Sequence, residues 1–273
     1  LINHAKSIMD FYHPICIDKE IGGFFHHFRD DGSIYDSSTR HLVSSTRFIF
    51  NYSMASTYLK NDKYLNIIKH GIDFLRKSHL DKKTGGYAWI LDKNKAYDST
   101  NYCYGLAFVL LAYSTAYKAG VLEVKEYIQE TFDLMERHFW DKDFGLYSDE
   151  ISPDWSQLSD YRGQNANMHS CEALIVAFEA TKNNKFLDRA LIIADNICNR
   201  QAKQADGLIW EHYDSDWKID WSFNKGKPDD LFRPWGFQVG HLTEWSKLLL
   251  ILERHVTEDW LLPRAIELFE DAV

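Results

Sequence analysis

The chain has 273 residues, 45% of them hydrophobic, so it can bury the core of one domain, which we place over residues 1–273. The net charge is −9 and lysine and arginine form no cluster, which excludes the basic surface that nucleic acids and anionic membranes require. We therefore expect a small, uncharged polar ligand, no nucleic-acid partner and no membrane partner.

Nothing in the sequence indicates export or membrane insertion. No amino-terminal segment resembles a secretion signal, and no apolar run approaches the roughly 20 residues of a membrane span. The four cysteines are far apart and form no Cys-x-x-Cys pair, so the sequence indicates neither a zinc site nor a disulfide framework. We predict a cytoplasmic protein with free thiols. No feature predicts its oligomeric state.

A short phrase of the form Asp-Lys-x-x-Gly-Gly-aromatic recurs along the chain. It occupies 18–24 and 81–87, returns with changes at 141–147, and is weaker at 205–210. Its marker glycines are separated by 63, 59 and 62 residues: Gly23, Gly86, Gly145 and Gly207. Such a regular period indicates a repeated structural unit.

The segments between these phrases have helical periodicity, as in the stripe Leu65, Ile68, Ile72 and Leu75. We predict helices over 2–15, 41–60, 63–79, 100–119, 122–139, 165–182, 184–200, 238–255 and 258–272. Each repeat is then a helical hairpin, and stacked hairpins form an open solenoid or a closed ring. A ring of the (α/α)6 type needs about 360 residues at this period. We therefore expect an all-α, incomplete or truncated barrel with about nine of its twelve helices.

Polar residues that are unexpected in a core lie near the starts of every second helix. In the segment 233–252, a turn containing Pro234, Gly236 and Gly240 leads into a helix that ends in a long apolar run. His241 and Glu244 are three residues apart on the first turn of that helix, so they share one face. If these helices form the inner layer of a ring, their starts meet at one mouth.

A second His-x-x-Glu pair lies in the segment 162–172. Asn165, His169 and Glu172 are spaced four and three residues apart, on one face of the predicted helix 165–182. Either pair alone is equally explained by a hydrogen-bonded histidine in the core. Two pairs on neighbouring inner helices, with Asn165 beside one of them, favour a functional site.

Two other kinds of site remain open on these residues. Two histidines and two glutamates could bind a divalent ion, although di-iron helical bundles use the opposite order, Glu-x-x-His. A glycosidase needs two carboxylates, for which Glu172, Glu211 and Glu244 are available. A histidine accompanying two of these glutamates fits proton transfer better. We predict neither a metal ion nor any other cofactor.

Three further residues are candidates for binding the ligand. Arg47 lies in an apolar part of an inner helix, so its guanidinium either pairs with a carboxylate or binds an oxygen-rich ligand. Tyr104 occupies the corresponding part of the next inner helix, where it is equally explained as a packed tyrosine. Among the loop tryptophans we single out Trp235 as a platform for a sugar ring.

The two long motifs, 162–173 and 234–249, resemble those of the N-acylglucosamine 2-epimerase superfamily, in its branch of aldose–ketose isomerases. The resemblance covers essentially the whole chain. It implies an (α/α)6 barrel and metal-independent proton transfer between C1 and C2 of a sugar through an enediolate. It also implies a catalytic acid/base, His241. With the residues above, we predict a catalytic group of His241, His169 and Glu244 and a substrate-binding group of Arg47, Tyr104, Asn165, Glu172 and Trp235.

The sequence departs from the family pattern in two places. Val239 stands where these isomerases tend to carry proline, which loosens the turn before His241 without removing a chemical group. The family also has a second catalytic histidine near its carboxyl end, and no residue here matches it. Alternative functions are therefore a sugar 2-epimerase, of the N-acylglucosamine or cellobiose type, and a non-catalytic carbohydrate-binding barrel.

Overall fold

The computed structural model describes residues 2–227 and 229–273. Helices alternate along these residues with short strands, and the predicted all-α class is confirmed. The helices are α1 Ile2–Tyr12, α2 Leu42–Leu59, α3 Lys63–Phe74, α4 Cys103–Lys118, α5 Lys125–His138, α6 Gln164–Thr181, α7 Asn184–Asp195, α8 Val239–Glu253 and α9 Leu261–Glu270. Among them there is none whose length and hydropathy would let it cross a lipid bilayer.

Each predicted helix is present, and the differences are at the ends. Helix α4 starts at Cys103 instead of residue 100, because Asn101 and Tyr102 pair in an extended ribbon with a later segment. Two outer helices change their winding in the last turn. Helix α3 continues as the π-helical turn Leu75–His79, and α7 as Asn196–Gln201. The hydrophobic periodicity of a sequence does not reveal a change from α-helical to π-helical winding, because the same side chains are buried in both.

The helices form two layers. Helices α2, α4, α6 and α8 pack side by side in sequence order, and each packs against the helix that follows it in the chain. Helix α4 is buried around almost its whole circumference, from Cys103 to Ala116, as expected for a helix with neighbours on all sides. The even-numbered helices are therefore the inner layer, as the sequence predicted.

Short antiparallel ribbons, where the sequence predicted only loops, lie in the connections that lead into the inner helices. Their strands are β1 His27–Phe28, β2 Ile34–Asp36, β3 Thr39–His41, β4 Ile90–Asp92, β5 Lys95–Asp98, β6 Asn101–Tyr102, β7 Trp140–Asp141, β8 Leu146–Tyr147, β9 Glu150–Ile151, β10 Arg162–Gly163 and β11 His212–Tyr213. The ribbons are β1–β2, β3–β4–β5, β6–β9, β7–β8 and β10–β11. Strands β3, β6 and β10 run directly into α2, α4 and α6, so the ribbons surround the inner-helix starts.

The recurring glycine phrases are tight turns between an outer helix and its ribbon. Gly145 has a φ of +65° and Gly23 a φ of +71°, a region that residues with a Cβ rarely adopt. In the second copy the left-handed residue is Gly85 instead of the marker Gly86. Each copy of the phrase therefore marks the turn that ends an outer helix, and these turns recur about every sixty residues.

Candidate active site

Four of the predicted site residues meet in one cavity of about 220 Å³ between the inner helices. It is lined by Arg47, Phe50, Asn51, Phe108, Leu111, His169, Glu172 and Glu244. The lining residues come from all four inner helices, α2, α4, α6 and α8. The packing of the inner helices therefore brings their polar side chains together, as the sequence predicted.

A second cavity of about 220 Å³ lies under the connection that precedes α8. It is lined by Trp89, Tyr102, Tyr104, Asp149, Tyr161, Asn165, Ala166, Asp230, Phe232 and Arg233. Tyr104 joins the two cavities, because its ring meets the ring of His169 edge-on at 5.1 Å between centroids. The Oδ1 atom of Asn165 is buried and has no hydrogen-bond partner among the described residues. Such an atom needs a partner, and a ligand hydroxyl would supply one.

The first pair, His169 and Glu172, is closely associated with a lysine. His169 is 8% exposed and its Nδ1 lies 3.4 Å from Oε2 of Glu172. Lys247 places its Nζ 3.2 Å from Oε1 of Glu172 and 3.5 Å from Oε1 of Glu244. Burial raises the pKa of Glu172, but the bond to His169 and the charge of Lys247 outweigh it and lower the pKa to about 2. Glu172 is therefore ionised at neutral pH.

This cluster is also where a metal ion would bind. One ligand atom from each of His169, Glu172 and Glu244 lies within 4.8 Å of the others, a spacing that suits a divalent ion. However, the ammonium of Lys247 already contacts both carboxylates. An ion would have to displace that cation, so the residues present fit an ion pair better than a metal centre.

The second histidine is held by a carboxylate that the sequence did not assign to it. The sequence places Glu244 on the same helical face as His241, but Nδ1 of His241 lies 2.9 Å from Oε1 of Glu211, which is 3% exposed. Helical side chains lean toward the amino-terminal end of their helix. The side chain of His241, in the first turn of α8, therefore extends beyond that end toward β11. Glu244 is one turn further on and contacts Lys247 instead.

The position of Glu211 depends on the ribbon β10–β11. Gly163 pairs with His212 in that ribbon, and the backbone N–H of Gln164 donates to the carbonyl of Glu211 at 3.1 Å. The sequence contained one unused signal. In the earlier copies of the repeat, the residue after the final aromatic is Phe25, Ala88 or Ser148, whereas the fourth copy has a carboxylate there.

The environment of His241 favours its charged form. Burial lowers the pKa of the imidazole, but the hydrogen bond to Glu211, the charge of Glu211 and the charge of Glu244 outweigh it, so the pKa is raised overall. A carboxylate can only accept, so the contact with Glu211 favours a proton on Nδ1 and leaves the other ring nitrogen, Nε2, free to exchange a proton. The side chain is 24% exposed, so part of the imidazole reaches solvent.

Arg47 has no carboxylate within salt-bridge distance in the described part of the chain. Its guanidinium carbon lies 4.6 Å from the ring centroid of Phe108, in the wall of the first cavity. Of the two roles that the sequence left open, binding an oxygen-rich ligand fits this geometry better than a salt bridge.

His241 and Trp235 are the predicted site residues that line neither of these two cavities. Trp235 lies in the connection before α8. It is 42% exposed, and its Nε1–H donates to the carbonyl of Trp221 at 2.8 Å. Its ring packs edge-on against Trp210, 5.8 Å between centroids, on the outer side of the connection before α8. Its role as a sugar platform stays a prediction.

One buried acid in the second cavity yields a prediction about pH. Asp149 is 8% exposed, and its Oδ2 accepts from the backbone N–H of Gly163 at 2.6 Å. Burial raises its pKa to about 7, although the charges of Arg233 and Arg162 and the Gly163 bond oppose this. An acid with a raised pKa stabilises the fold at low pH, and this contribution disappears as the pH rises through 7.

We therefore expect Asp149 to lower the free energy of unfolding of the wild-type protein by about 1 kcal/mol between pH 6 and pH 8.5. This decrease should be absent in Asp149→Asn. Urea unfolding of both proteins at the two pH values measures this difference. Asp154→Asn is the control, since that carboxyl is fully exposed and its pKa of about 2 lies outside the range. An equal loss in wild type and Asp149→Asn would contradict the prediction.

Successive inner helices bring an arginine, imidazoles and carboxylates together near their starts, where the two cavities lie. This arrangement is that of an enzyme of the helical-barrel class. A model of the family described as N-acylglucosamine 2-epimerase (GlcNAc 2-epimerase) matches residues 23–273. The chain belongs to this family.

Named relatives agree with this assignment. The chain is 55% identical over 268 residues to a D-mannose isomerase from Marinomonas mediterranea, covering 98% of this chain and 68% of the relative. A crystal structure of a D-mannose isomerase superposes with a TM-score of 0.96 and 55% identity, over 99% of this chain and 69% of the other. Cellobiose 2-epimerase from Bacillus thermoamylovorans B4167 has a TM-score of 0.83 at 17% identity, over 98% of this chain and 70% of that one.

Three predictions are confirmed by these comparisons: the family, the (α/α)6 barrel fold and the enzyme class of isomerase. The chain spans about two thirds of the length of the relatives it matches. The chemical roles of the individual site residues stay predictions.

Proposed function

We propose that this protein interconverts an aldose and its 2-ketose, with D-mannose and D-fructose as the first pair to test. A 55% identity to a D-mannose isomerase supports this substrate pair. The single observation that carries the chemistry is the contact between His241 and Glu211, 2.9 Å apart. It places a partly exposed imidazole next to a buried carboxylate and leaves Nε2 without a bond to that carboxylate.

His241 acts as the base that removes the proton at C2 and returns one at C1. With Nδ1–H donated to Glu211, neutral His241 has its lone pair on Nε2, which accepts the proton from carbon. The imidazolium that forms is stabilised by the charge of Glu211 next to it. Transfer of a proton from His241 to C1 of the enediolate regenerates neutral His241. The hydroxyl proton on O2 must also move to O1, and the ketose is then complete.

The enediolate intermediate carries negative charge on the oxygens of C1 and C2. Arg47 offers a guanidinium without a carboxylate partner, which can donate to both oxygens in a planar, bidentate manner. His169 donates Nδ1–H to ionised Glu172, so its Nε2 can receive or supply a proton at a sugar hydroxyl. Tyr104 and Asn165 line the neighbouring cavity and would hold the remaining hydroxyls.

We further propose that the reaction needs no metal ion. Lys247 occupies the position between Glu172 and Glu244 that a divalent ion would take. Because Arg47 and the imidazolium of His241 provide positive charge at the reacting oxygens, electrostatic stabilisation comes from side chains.

Epimerisation at C2 is the second candidate, and the family model that matches the chain favours it. Both reactions pass through an enediolate and differ in where the proton returns. An epimerase must deliver it to the opposite face of C2, which requires an acid on that face. His169 is the available imidazole for that role.

Incubation of the protein with D-mannose, followed by separation of the sugars, tests these alternatives. We expect fructose as the product, with the same rate in the presence of a chelator. Glucose without fructose would indicate an epimerase. Unchanged mannose with measurable binding would indicate a carbohydrate-binding barrel, and a strict requirement for added divalent ion would overturn the metal-free mechanism.

A further inference from the structure

Behind the His241–Glu211 pair lies a buried glutamine that the proposed mechanism does not use. Gln164 is the first residue of α6 and is completely buried. Its Oε1 accepts from Nε1–H of Trp245 at 2.7 Å. Its Nε2 lies 3.0 Å from both carboxylate oxygens of Glu211 and 2.9 Å from Nδ1 of His241.

The indole determines which way the amide faces. A tryptophan side chain has an N–H donor and no acceptor, so its partner on Gln164 must be the amide oxygen. The amino group of Gln164 therefore points to the opposite side, toward Glu211, to which it donates. If the amide were reversed, its oxygen would face the carboxylate, and the indole N–H would lose its partner in a buried place.

This side chain is not needed to complete the fold locally. The backbone N–H of Gln164 already donates to the carbonyl of Glu211, which continues the pairing of β10 with β11. A buried amide whose amino group faces a histidine–carboxylate pair and whose oxygen faces an indole costs free energy unless those contacts are made. The contacts themselves thus point to a role in the site.

We propose that Gln164 and Trp245 are positioning residues for His241: the indole fixes the amide, and the amide holds Glu211 where it accepts from Nδ1–H. This inference rests on the proposed function only in giving His241 a catalytic role. The pair acts in two ways. It prevents the carboxylate from rotating away from the imidazole, and its amino group shares the negative charge of Glu211.

The two effects have different consequences when the pair is broken. In Gln164→Leu, Glu211 loses a donor, so more of its charge acts on His241 and the pKa of the imidazole rises by about one unit. In Trp245→Phe, the aromatic ring remains but the amide is free to reverse, so we expect a smaller rise. The Nδ1–H tautomer of neutral His241 should persist in wild type and become mixed in Trp245→Phe.

Nitrogen-15 NMR of the imidazoles measures the tautomer and the pKa of His241 without any turnover. The His241 signals are assigned by their absence in His241→Asn. The matched control is Gln201→Leu, which removes another buried glutamine, at 2% exposure, on the outer layer. It should leave the His241 signals unchanged.

In the isomerase assay, the acidic limb of the kcat/KM profile should move upward in Gln164→Leu by the same amount as the pKa of His241. Unchanged His241 signals in folded Gln164→Leu and Trp245→Phe would overturn the inference, even if the protein isomerises mannose. Shifted signals in a protein without isomerase activity would support the positioning role and contradict the proposed function. If Gln164→Leu fails to fold, Trp245→Phe decides alone.

Discussion

Replacing His241 with asparagine is expected to lower kcat for isomerisation by about 10³-fold or more, the range attributed to a general base. Asparagine keeps a polar side chain near Glu211 but has no group that takes a proton from carbon at neutral pH. The sugar contacts that we propose for Arg47, Tyr104 and Asn165 do not involve the imidazole. KM should therefore change little while kcat falls.

The matched control is His255→Asn, which changes a histidine just beyond the other end of α8. His255 follows the end of α8, its side chain is 21% exposed, and its Nε2 lies 3.2 Å from a carboxylate of Glu179. It thus resembles His241 in burial and in pairing with a carboxylate, but it lies beyond the carboxyl end of α8, whereas His241 is in the first turn of that helix. A His241→Asn enzyme that keeps a tenth or more of wild-type kcat would remove His241 from the proposed mechanism.

The second large effect is expected in acid, from histidines buried around the start of α2. His79 is 1% exposed; its Nδ1–H donates to the carbonyl of Ala88 at 2.8 Å and its Nε2 accepts from the hydroxyl of Ser45 at 3.0 Å. Burial lowers its pKa to about 4, opposed by the Ala88 bond and assisted by the charges of His41 and Arg40.

Two neighbouring histidines behave in the same way. His26 accepts the backbone N–H of His41 at 3.1 Å, and His41 accepts that of Val43 at 3.2 Å. Burial lowers the pKa of His41 to about 4 and holds that of His26 well below its usual range. The charged groups facing this cluster are Arg40 with its partner Asp18, together with His27 and Asp98.

The sign follows from linkage. A histidine whose pKa is lowered by folding contributes stability above its unfolded value, near 6.5, and that contribution is lost as the pH falls toward 4. For His79 alone the expected loss is about 3 kcal/mol, a large part of the stability of a typical domain. We expect the free energy of unfolding, measured in urea, to fall steeply between pH 7 and pH 4.5.

In His79→Gln the decrease with acid should be smaller by about 2–3 kcal/mol, although the variant is less stable at pH 7. Exposed His4→Gln serves as the control and should follow the wild-type pH dependence. Equal slopes in wild type and His79→Gln would show that this imidazole is not kept neutral by the fold.

The features that the sequence predicted correctly are those set by local pattern. The stripe that includes Ile68 and Ile72 defines one face of α3, and the recurring glycine phrase marks where each hairpin turns. Because a helix places residues three and four apart on one face, the common cavity of His169 and Glu172 followed from numbering alone, whereas Asn165 lines the second cavity. The inner layer followed from helices whose polar starts and apolar bodies allowed no exposed face.

The features that it missed depend on contacts between segments far apart in the chain. Glu211 reaches His241 through the register of the β10–β11 ribbon, and a shift of one residue would turn its side chain to the other face. Lys247 meets Glu172 across the packing of α8 on α6. Neither periodicity nor spacing encodes that register or that packing, so the sequence named the right residue types but paired His241 with the wrong glutamate.

Proton transfer through an enediolate exposes the transferred hydrogen to exchange with solvent, which can be measured. D-Mannose is incubated with the metal-free protein in D2O, and the deuterium content of the sugars is followed by NMR. We expect fructose that carries solvent deuterium at C1, because the proton on the His241 nitrogen exchanges with D2O before a hydrogen is delivered to C1. Fructose that keeps the original C2 hydrogen at C1 without any solvent deuterium, or that forms only when a divalent metal is added, would contradict it.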